Sequence, residues 1–343
     1  MNKIKMVELW EDRKDYVILD VRSPGEFKKG QIPGALNLPV FSDEERVRVG
    51  TLYNRRSREV AFLEGLDFIA PKLRFFVEEA KRLAPYKKTL IHCWRGGLRS
   101  QSMAVLLEAA GFSCRILEGG YKAYRTYCRE ELLDKDARLI LVGGKTGSGK
   151  TVILHELINL QEQVIDLEGL ANHKGSVFGM LGQEQQPTQE QFENNLYECF
   201  STFDLKKRIW IESESQSIGH AFIPHEVFKK FRESPIFVVE RTSKQRINRL
   251  VNDYGQFPKI DLINAFKKIE QRLGGQHLKA ALEAIEVGDA ERACTIALSY
   301  YDKAYSRSTM NNGFTMATSI NTAKMTDKQV AQKLILIATK NGL

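Results

Sequence analysis

Cys93 is the residue whose surroundings are most typical of nucleophilic chemistry. Two glycines and two arginines lie within the next six positions, in the run Cys-Trp-Arg-Gly-Gly-Leu-Arg-Ser. An apolar run at 89–93 and a helical pattern at 99–110 place this thiol at a strand end above a helix N-terminus, where amides and the helix dipole favour a thiolate. We therefore predict that Cys93 is a nucleophile in an anion-binding loop formed by Arg95, Gly96, Gly97 and Arg99. The alternative is a small buried thiol, the usual state of a free cysteine.

A second motif has the spacing of a phosphate-binding loop. Residues 144–151 read Gly-Lys-Thr-Gly-Ser-Gly-Lys-Thr and come after an apolar run at 137–143. A strand before the motif and a helix after it are the context that the motif requires. Its backbone amides would face a diphosphate, its lysine would neutralise the outer oxygens, and its last threonine could bind Mg²⁺. The predicted diphosphate-binding residues are Gly144, Gly147, Gly149, Lys150 and Thr151.

The sequence defines the reaction at this phosphate loop less clearly than it defines the binding of phosphate. A hydrolase needs a carboxylate at the end of a neighbouring strand, and the runs ending at Asp166 and Glu212 are weak versions of that element. The diphosphate could equally be the leaving group of an alkyl transfer. Segment 166–176 comes after the second predicted strand, at the sheet edge where such folds bind ligands. We predict substrate contacts there from Asp166, Glu168, His173, Lys174 and Glu212.

Two alternations of strands and helices must position these motifs. The first has strands at 16–21, 89–93 and 114–117 and helices at 72–83 and 99–110; the second has strands at 137–143, 163–167, 208–213 and 235–240 and helices at 149–160, 190–203 and 225–233. This pattern predicts an α/β fold with a parallel sheet in each half. We expect one domain at 1–130 and a second at 131–343, with a helical C-terminal appendage at about 244–309.

The composition narrows the class of protein further. The chain has 343 residues, which is long for a single core, and its five cysteines are odd in number and contain no C-x-x-C pair. That spacing argues against a disulfide framework and against a zinc cluster. No stretch is apolar over the roughly 20 residues that a membrane helix needs. We expect a soluble cytoplasmic protein with no membrane partner.

The positive charge is concentrated in the first half. The net charge is +8, and residues 1–130 hold 24 Lys and Arg against 17 Asp and Glu. Segment 44–67 contains Arg55, Arg56 and Arg58 close to Tyr53. Arginines bind phosphates and stack on unpaired bases, so this segment is a candidate RNA-binding surface. A solvated helix face is the equal alternative.

Four segments carry a resemblance to a known domain. Asp20–Phe27, Gly30–Pro39, the Cys93 loop and Glu118–Tyr121 resemble successive signatures of a rhodanese domain. In that family the loop cysteine carries a transferable sulfur or selenium atom. The loop from Cys93 to Arg99 has seven residues here, where sulfur-transferring rhodaneses usually have six. A wider loop suits a bulkier anion than thiosulfate, such as a phosphate-containing donor.

The combination of the two halves is similar to the tRNA 2-selenouridine synthase family, as are segments 166–176 and 189–194. This resemblance implies that wobble 2-thiouridine of certain tRNA anticodons is first S-geranylated with geranyl diphosphate. The geranylthio group is then displaced by selenium from selenophosphate, carried by Cys93 as an S-selanyl intermediate. The implied co-substrates are geranyl diphosphate and selenophosphate; Mg²⁺ at Thr151 is what the phosphate-loop motif predicts. The implied partners are the tRNA anticodon arm and an upstream enzyme that produces selenophosphate, and Arg55, Arg56 and Arg58 are our candidate contacts for that arm.

Three other functions fit parts of the sequence. A rhodanese-type sulfurtransferase coupled to an ATPase or GTPase domain would use both motifs, but the loop length and the weak hydrolase carboxylate argue against it. A C-x5-R phosphatase fits the loop length and leaves the second domain unexplained. A non-catalytic RNA-binding module fits only the charge and predicts that Cys93 is inert to alkylating reagents.

Overall fold

The chain forms two structural units. The structure, a computed structural model, describes residues 2–134, 137–311 and 317–343. Most contacts lie within Met1–Leu132 or within Leu133–Leu343. The division falls two residues after the boundary expected at 130, inside a helix. No helix among the described residues is long and apolar enough to cross a membrane.

The first unit is a five-stranded parallel sheet with helices. Its elements are β1 (Asn2–Ile4), α1 (Met6–Asp12), β2 (Val17–Asp20), α2 (Pro24–Lys29), β3 (Leu36–Asn37), α3 (Asp43–Arg55), α4 (Arg58–Ile69), α5 (Leu73–Leu83), β4 (Lys88–His92), α6 (Leu98–Ala109), β5 (Ser113–Leu117) and α7 (Gly120–Asp134). The strand order is β1-β5-β4-β2-β3, and every pair is parallel. The strand that precedes Cys93 is therefore the central one.

The core of the first unit explains why its two predicted helices form. Phe76 and Ala80 of α5, with Met103 and Leu107 of α6, pack in one buried cluster with Ile91 of β4. These spacings of four residues place apolar side chains on one side of each helix, and burial of that side stabilises it. Strands β1 and β3, of three and two residues, were not predicted.

The second unit is also built on a five-stranded parallel sheet. Its elements are β6 (Arg138–Gly143), α8 (Lys150–Asn159), β7 (Gln163–Ile165), α9 (Leu167–Ala171), α10 (Gln189–Thr202), β8 (Arg208–Glu212), β9 (Ser217–Ile218), β10 (Ala221–Phe222), α11 (His225–Glu233), β11 (Ile236–Glu240), α12 (Ser243–Tyr254), α13 (Lys259–Lys268), α14 (Glu270–Leu273), α15 (Gly275–Glu286), α16 (Ala290–Asn311), β12 (Ala317–Asn321) and α17 (Asp327–Lys340). The order β12-β11-β6-β8-β7 places β6, which leads into the phosphate loop, in the centre. From β6 the chain runs to β7 and β8 on one side of it and later to β11 on the other, so the strand order reverses at β6. In open α/β sheets, ligands bind at the carboxyl ends of the strands at such a reversal.

The helical region expected at 244–309 is formed by α12 to α16. It has a core of its own, in which Phe178, Phe266, Ala281 and Ile285 are buried. After it the chain returns to the sheet as β12, parallel to β11, and α17 packs with α8 against the sheet. Neither β12 nor α17 was predicted from the sequence. The helical region is thus inserted between two strands of the second unit, where a C-terminal appendage was expected.

Candidate active site

The cysteine loop joins the central strand of the first sheet to α6. Cys93 comes directly after β4, and its side chain is only 4% exposed. Its Sγ lies 3.4 Å from the Ser100 hydroxyl, which also donates a hydrogen bond to the Gly97 carbonyl at 3.0 Å. A hydroxyl that donates elsewhere can accept from the thiol. Ser100, in the first turn of α6, is therefore a contact of the Cys93 thiol that was not predicted, although it directly follows the loop.

The backbone of this loop is held by the start of α7. The amides of Tyr121 and Lys122 donate to the carbonyls of Cys93 and Trp94, both at 2.9 Å. Gly96 has a φ of +64°, and a Cβ there would lie 2.7 Å from the Leu117 carbonyl oxygen. No other residue fits this turn without strain. Gly97 is different, since a Cβ there would meet no atom within 4 Å.

The two arginines of the loop lie in different surroundings. Arg95 is exposed, whereas the Arg99 guanidinium is tied to the Glu26 carboxylate at 2.6 Å. Burial alone would raise the pKa of Glu26, but the hydrogen bond and charge of Arg99 outweigh it and lower that pKa. The positive charge of Arg99 is thus already compensated, while that of Arg95 faces solvent.

A buried ion pair contacts the residues that hold the cysteine loop. Asp20 and Arg22 are almost fully buried and form an ion pair at 2.6 Å. The Arg22 guanidinium also stacks 3.8 Å from the centre of the Tyr121 ring. Burial lowers the pKa of the neighbouring His92 below its usual value, so this imidazole is neutral near pH 7. These rhodanese-signature residues therefore hold the strand ends together rather than facing a ligand.

The phosphate loop has the conformation that its glycines predict. Gly144, Gly147 and Gly149 have φ values of +151°, +78° and +88°. A Cβ on Gly144 would lie 2.5 Å from the Ser148 hydroxyl oxygen, so glycine is required there. The Lys150 ammonium donates to the Gly144 carbonyl at 3.3 Å and lies 3.4 Å from a Glu214 oxygen. The Lys150 side chain thus extends across the loop on which phosphate oxygens would lie.

Three predicted carboxylates meet beside this loop. The Thr151 hydroxyl donates to Glu168 at 2.9 Å, the Leu167 amide donates to Glu212 at 2.7 Å, and the Gly169 amide donates to Asp166 at 2.7 Å. Burial and the nearby Glu214 charge raise the pKa of Glu168 to about 7, against the effects of Lys150 and Thr151. Burial and its carboxylate neighbours likewise raise the pKa of Glu212 well above its usual value. Negative charge is therefore crowded here.

His173 and Lys174 lie at two different places. The His173 amide donates to the Glu168 carbonyl at 3.0 Å, and its ring is 9% exposed. Burial, together with the charge of His220, lowers the pKa of this imidazole. The Lys174 ammonium instead lies 5.6 Å from the centre of the Tyr254 ring in α12. Of the two residues, only His173 lies beside the carboxylates, through its main-chain contact with Glu168. Lys174 lies against the inserted helices.

Helix α12 supplies two arginines to the phosphate loop that were not predicted. The Arg246 guanidinium donates to the Thr146 carbonyl at 2.8 Å and pairs with Asp302. A Cβ on Gly149 would lie 2.6 Å from an Arg249 nitrogen, so this arginine passes directly over the loop. Their spacing of three residues on one predicted helix was the available signal.

The predicted RNA-binding arginines lie at the turn between α3 and α4. Arg55 ends α3, Arg56 caps it and Arg58 begins α4. All three are exposed, and within the described part of the chain they form no ion pair. Arg46 and Arg48 of the same segment are paired with Glu26 and Glu64.

The fold and the two loops define a class of protein: a rhodanese-like domain followed by a P-loop domain. Residues 5–127 match the family model of the rhodanese-like domain, and residues 137–332 match that of the tRNA 2-selenouridine synthase AAA domain. This confirms the fold class predicted from the sequence.

Known relatives match over most of the chain. The tRNA 2-selenouridine synthase of Shewanella denitrificans is 33% identical over 78% of this chain and 78% of its own length. Those of Bordetella petrii and Pseudomonas fluorescens are each 33% identical over 85% of this chain, and over 86% and 88% of their own lengths. The chain belongs to the tRNA 2-selenouridine synthase family and is an enzyme of that family, as its sequence predicted.

Proposed function

We propose that the protein replaces the sulfur of wobble 2-thiouridine in tRNA by selenium, in two reactions at two sites. The observation that carries the proposal is the pairing, in one member of this family, of a thiol in a seven-residue loop with a complete phosphate loop. Geranyl diphosphate is assigned to the second unit, and selenophosphate, supplied by an upstream enzyme, to the first.

In the first reaction the uridine sulfur attacks C1 of geranyl diphosphate. A carbon–sulfur bond forms, the carbon–oxygen bond breaks, and inorganic diphosphate leaves. The leaving group gains negative charge, which Lys150 and the amides of the phosphate loop are placed to stabilise. Arg249, which passes over Gly149, is ion-paired with Asp327 at 2.8 Å, so the positive charge that it adds at the same loop is partly compensated.

Mg²⁺ is assigned to the Thr151 hydroxyl and the Glu168 carboxylate beside it. The described residues contain no group of three or more His, Cys, Asp or Glu side chains arranged to hold a metal ion. Mg²⁺ commonly uses only one or two carboxylates together with substrate phosphates and water, so this pair fits it. Burial, and after it the neighbouring Glu214 charge, raises the pKa of Glu168, and a bound cation would favour the charged form of this carboxyl. When bound, the ion would neutralise charge on the diphosphate.

In the second reaction the Cys93 thiolate attacks selenium of selenophosphate. A sulfur–selenium bond forms on Cys93, and the selenium–phosphorus bond breaks. The exposed Arg95 and the loop amides would bind the phosphorus group, while Ser100 accepts a hydrogen bond from the resting thiol. The selanyl group then attacks C2 of the geranylated uridine and expels geranylthiolate.

The balance of electrons makes this route testable. Transfer of selenium to Cys93 leaves the bonding pair on phosphorus, which departs as phosphite, and a thiol reductant must later cleave the sulfur–selenium bond. If selenophosphate itself attacked C2, hydrolysis would release phosphate and no reductant would be needed. Phosphite in the ³¹P spectrum, with selenium on Cys93 by mass spectrometry, supports the S-selanyl route. Phosphate alone, without selenium on Cys93, would exclude it and leave tRNA selenation intact.

The anticodon arm is assigned to Arg55, Arg56 and Arg58. These side chains are exposed at one turn, without an acidic partner in the described residues, beside the exposed ring of Tyr53. Unpaired guanidinium groups bind phosphates, and an exposed tyrosine stacks on unpaired bases.

The test is nucleoside mass spectrometry of 2-thiouridine tRNA incubated with the protein, Mg²⁺, geranyl diphosphate and a thiol reductant, with and without selenophosphate. We expect geranylthiouridine in the absence of selenophosphate and selenouridine in its presence. If both nucleosides are absent, while thiosulfate and ATP give a persulfide and nucleotide turnover, the protein is a sulfurtransferase coupled to an ATPase instead.

A further inference from the structure

An apolar cavity lies between the inserted helices of the second unit. Its volume is about 120 Å³, and its walls include Phe178, Leu250, Phe266, Ile285 and Ala297. The Phe178 and Phe266 rings meet edge to face, with their centres 5.0 Å apart. Burial raises the pKa of the Cys294 thiol in the same wall to about 11, so this thiol is uncharged near pH 7. The charged residue in the lining, Lys259, donates a hydrogen bond to the Glu286 carbonyl at 2.7 Å. The cavity therefore suits an apolar group.

The cavity reaches the phosphate loop directly. Thr146, in the middle of that loop, is one of the lining residues, and its carbonyl accepts a hydrogen bond from Arg246. Leu250, another lining residue, lies 3.3 Å from the position of a Cβ on Gly147. A molecule whose phosphates occupied the loop could therefore place an attached chain among these helices.

The volume limits the length of that chain. Apolar protein cavities of about 150 Å³ hold a benzene molecule, which has about six carbon atoms. A cavity of about 120 Å³ thus holds roughly one five-carbon unit. The remainder of a longer chain would lie along Thr146, towards the diphosphate. Since Thr146 is the residue of the loop that lines the cavity, a five-carbon ester would place fewer carbons beyond it than a ten-carbon ester, and a fifteen-carbon ester would have more carbons than the cavity holds.

We propose that this cavity binds the distal isoprene unit of a ten-carbon prenyl diphosphate whose diphosphate lies on the phosphate loop. The inference rests on the proposed function and deepens it, because it assigns a specificity for chain length to named residues of α12, α13, α15 and α16 and to Phe178. It makes the inserted helices the part of the protein that selects the alkyl donor.

Binding to the full chain, measured by calorimetry without tRNA, tests the inference separately from the reaction. The probes are inorganic diphosphate and dimethylallyl, geranyl and farnesyl diphosphates. Burial of five more carbons predicts that geranyl diphosphate binds at least about 100-fold more tightly than dimethylallyl diphosphate. Farnesyl diphosphate should bind more weakly than geranyl diphosphate. Equal affinities for the ten-carbon and five-carbon esters would overturn the inference.

Two variants of α16 sharpen this test. Ala297→Phe should fill the cavity and reduce the preference for geranyl over dimethylallyl diphosphate to within about threefold, with inorganic diphosphate binding unchanged. Ser299→Phe, at an exposed position of the same helix, is the matched control and should keep the preference. An unchanged preference in Ala297→Phe would contradict the placement of the chain.

An enlarged cavity gives a result that misfolding cannot imitate. Phe178→Ala should raise the affinity for farnesyl relative to geranyl diphosphate by about tenfold or more. If Ala297→Phe fails to bind inorganic diphosphate, this second variant tests whether the chain lies in the cavity. An unchanged farnesyl-to-geranyl ratio counts against the inference. Chain-length selectivity without any geranylated tRNA would refute the proposed reaction and keep the binding site. Geranylated tRNA without chain-length selectivity in binding would support the proposed reaction and refute the binding site.

Discussion

The cysteine loop and the phosphate loop differ in the charged groups that surround the place where an anion would bind. At the cysteine loop one of the two arginines is paired: Arg99 is held by Glu26, whose pKa is lowered, while Arg95 is exposed. At the phosphate loop three carboxyl groups crowd one another, and the pKa values of Glu168 and Glu212 are raised. The first site therefore presents one exposed positive charge, that of Arg95, to an anion. At the second site the charge of the carboxyl groups must be offset, by a bound cation or by protonation of Glu168 and Glu212, before a diphosphate binds well.

The largest expected effect separates the thiol from the phosphate loop. Cys93→Ala should lower the rate of tRNA selenation by about 1000-fold or more, because the nucleophile is lost, while geranylation stays within about threefold. Both products are counted by nucleoside mass spectrometry. Cys114→Ala removes a buried thiol of the same unit and should change neither rate by much. Normal selenation by Cys93→Ala would refute its assigned role.

The reciprocal change affects the other site. Lys150→Ala should reduce geranylation by about 100-fold or more, since the departing diphosphate loses a charged partner. Selenation of tRNA that is already geranylated should be unaffected. If Lys150→Ala slowed both reactions equally on their own substrates, the division of labour between the two sites would be wrong.

The crowded carboxylates also predict how stability depends on pH. The pKa of Glu168 is raised to about 7 in the folded protein, so the folded state binds its proton more tightly than the unfolded state. The stabilising effect of this carboxyl is complete below about pH 4.5 and is lost as the pH rises through 7. We expect the free energy of unfolding, from urea titrations without Mg²⁺, to fall by about 1–3 kcal/mol from this group over that range.

Glu168→Gln should flatten that dependence, leaving the part due to Glu212, whose raised pKa acts in the same direction. Glu184→Gln, at an exposed glutamate, is the control and should leave the profile unchanged. If the wild type and Glu168→Gln lost the same stability between pH 5 and pH 8, Glu168 would not be the crowded carboxyl.

The smallest effect is expected at the tRNA surface. Replacement of Arg55, Arg56 and Arg58 by alanine should weaken tRNA binding by about tenfold and reduce the slope of log affinity against log salt by about 2. Filter binding at several salt concentrations measures both. Replacement of Lys14, Lys28 and Lys81 by alanine, three exposed lysines of the same unit, controls for net charge. An unchanged slope in the arginine variant would exclude contact.

The sequence was sufficient wherever function depends on neighbouring residues. Both loops, their flanking strands and helices, and the family could be predicted from local spacing, because a strand end, glycines and a basic residue form such a site within ten positions. The meeting of Glu168, Thr151 and Glu212 was predictable as proximity, since the carboxyl ends of parallel strands share one edge. The raised pKa values were not, because they depend on burial and on Glu214.

The features that could not be predicted depend on distant segments. The ion pair between Glu26 and Arg99 joins residues 73 positions apart, and the contact of Arg246 with Thr146 joins residues 100 positions apart. Strand β12 could not be predicted because it is short and mostly exposed, and Ile320 is its only buried residue. The apolar cavity is likewise invisible in sequence, since its walls come from several separate elements.

The most direct test of the central claim, that one chain holds two separable reactions, is a mixing experiment. Cys93→Ala and Lys150→Ala are each incubated with 2-thiouridine tRNA, geranyl diphosphate, selenophosphate, Mg²⁺ and a thiol reductant, and then both are incubated together. We predict that neither variant alone makes selenouridine above about a hundredth of the wild-type yield and that the mixture restores it. If the mixture stays as inactive as either variant alone, while each retains its own partial reaction, the two reactions are not independent steps.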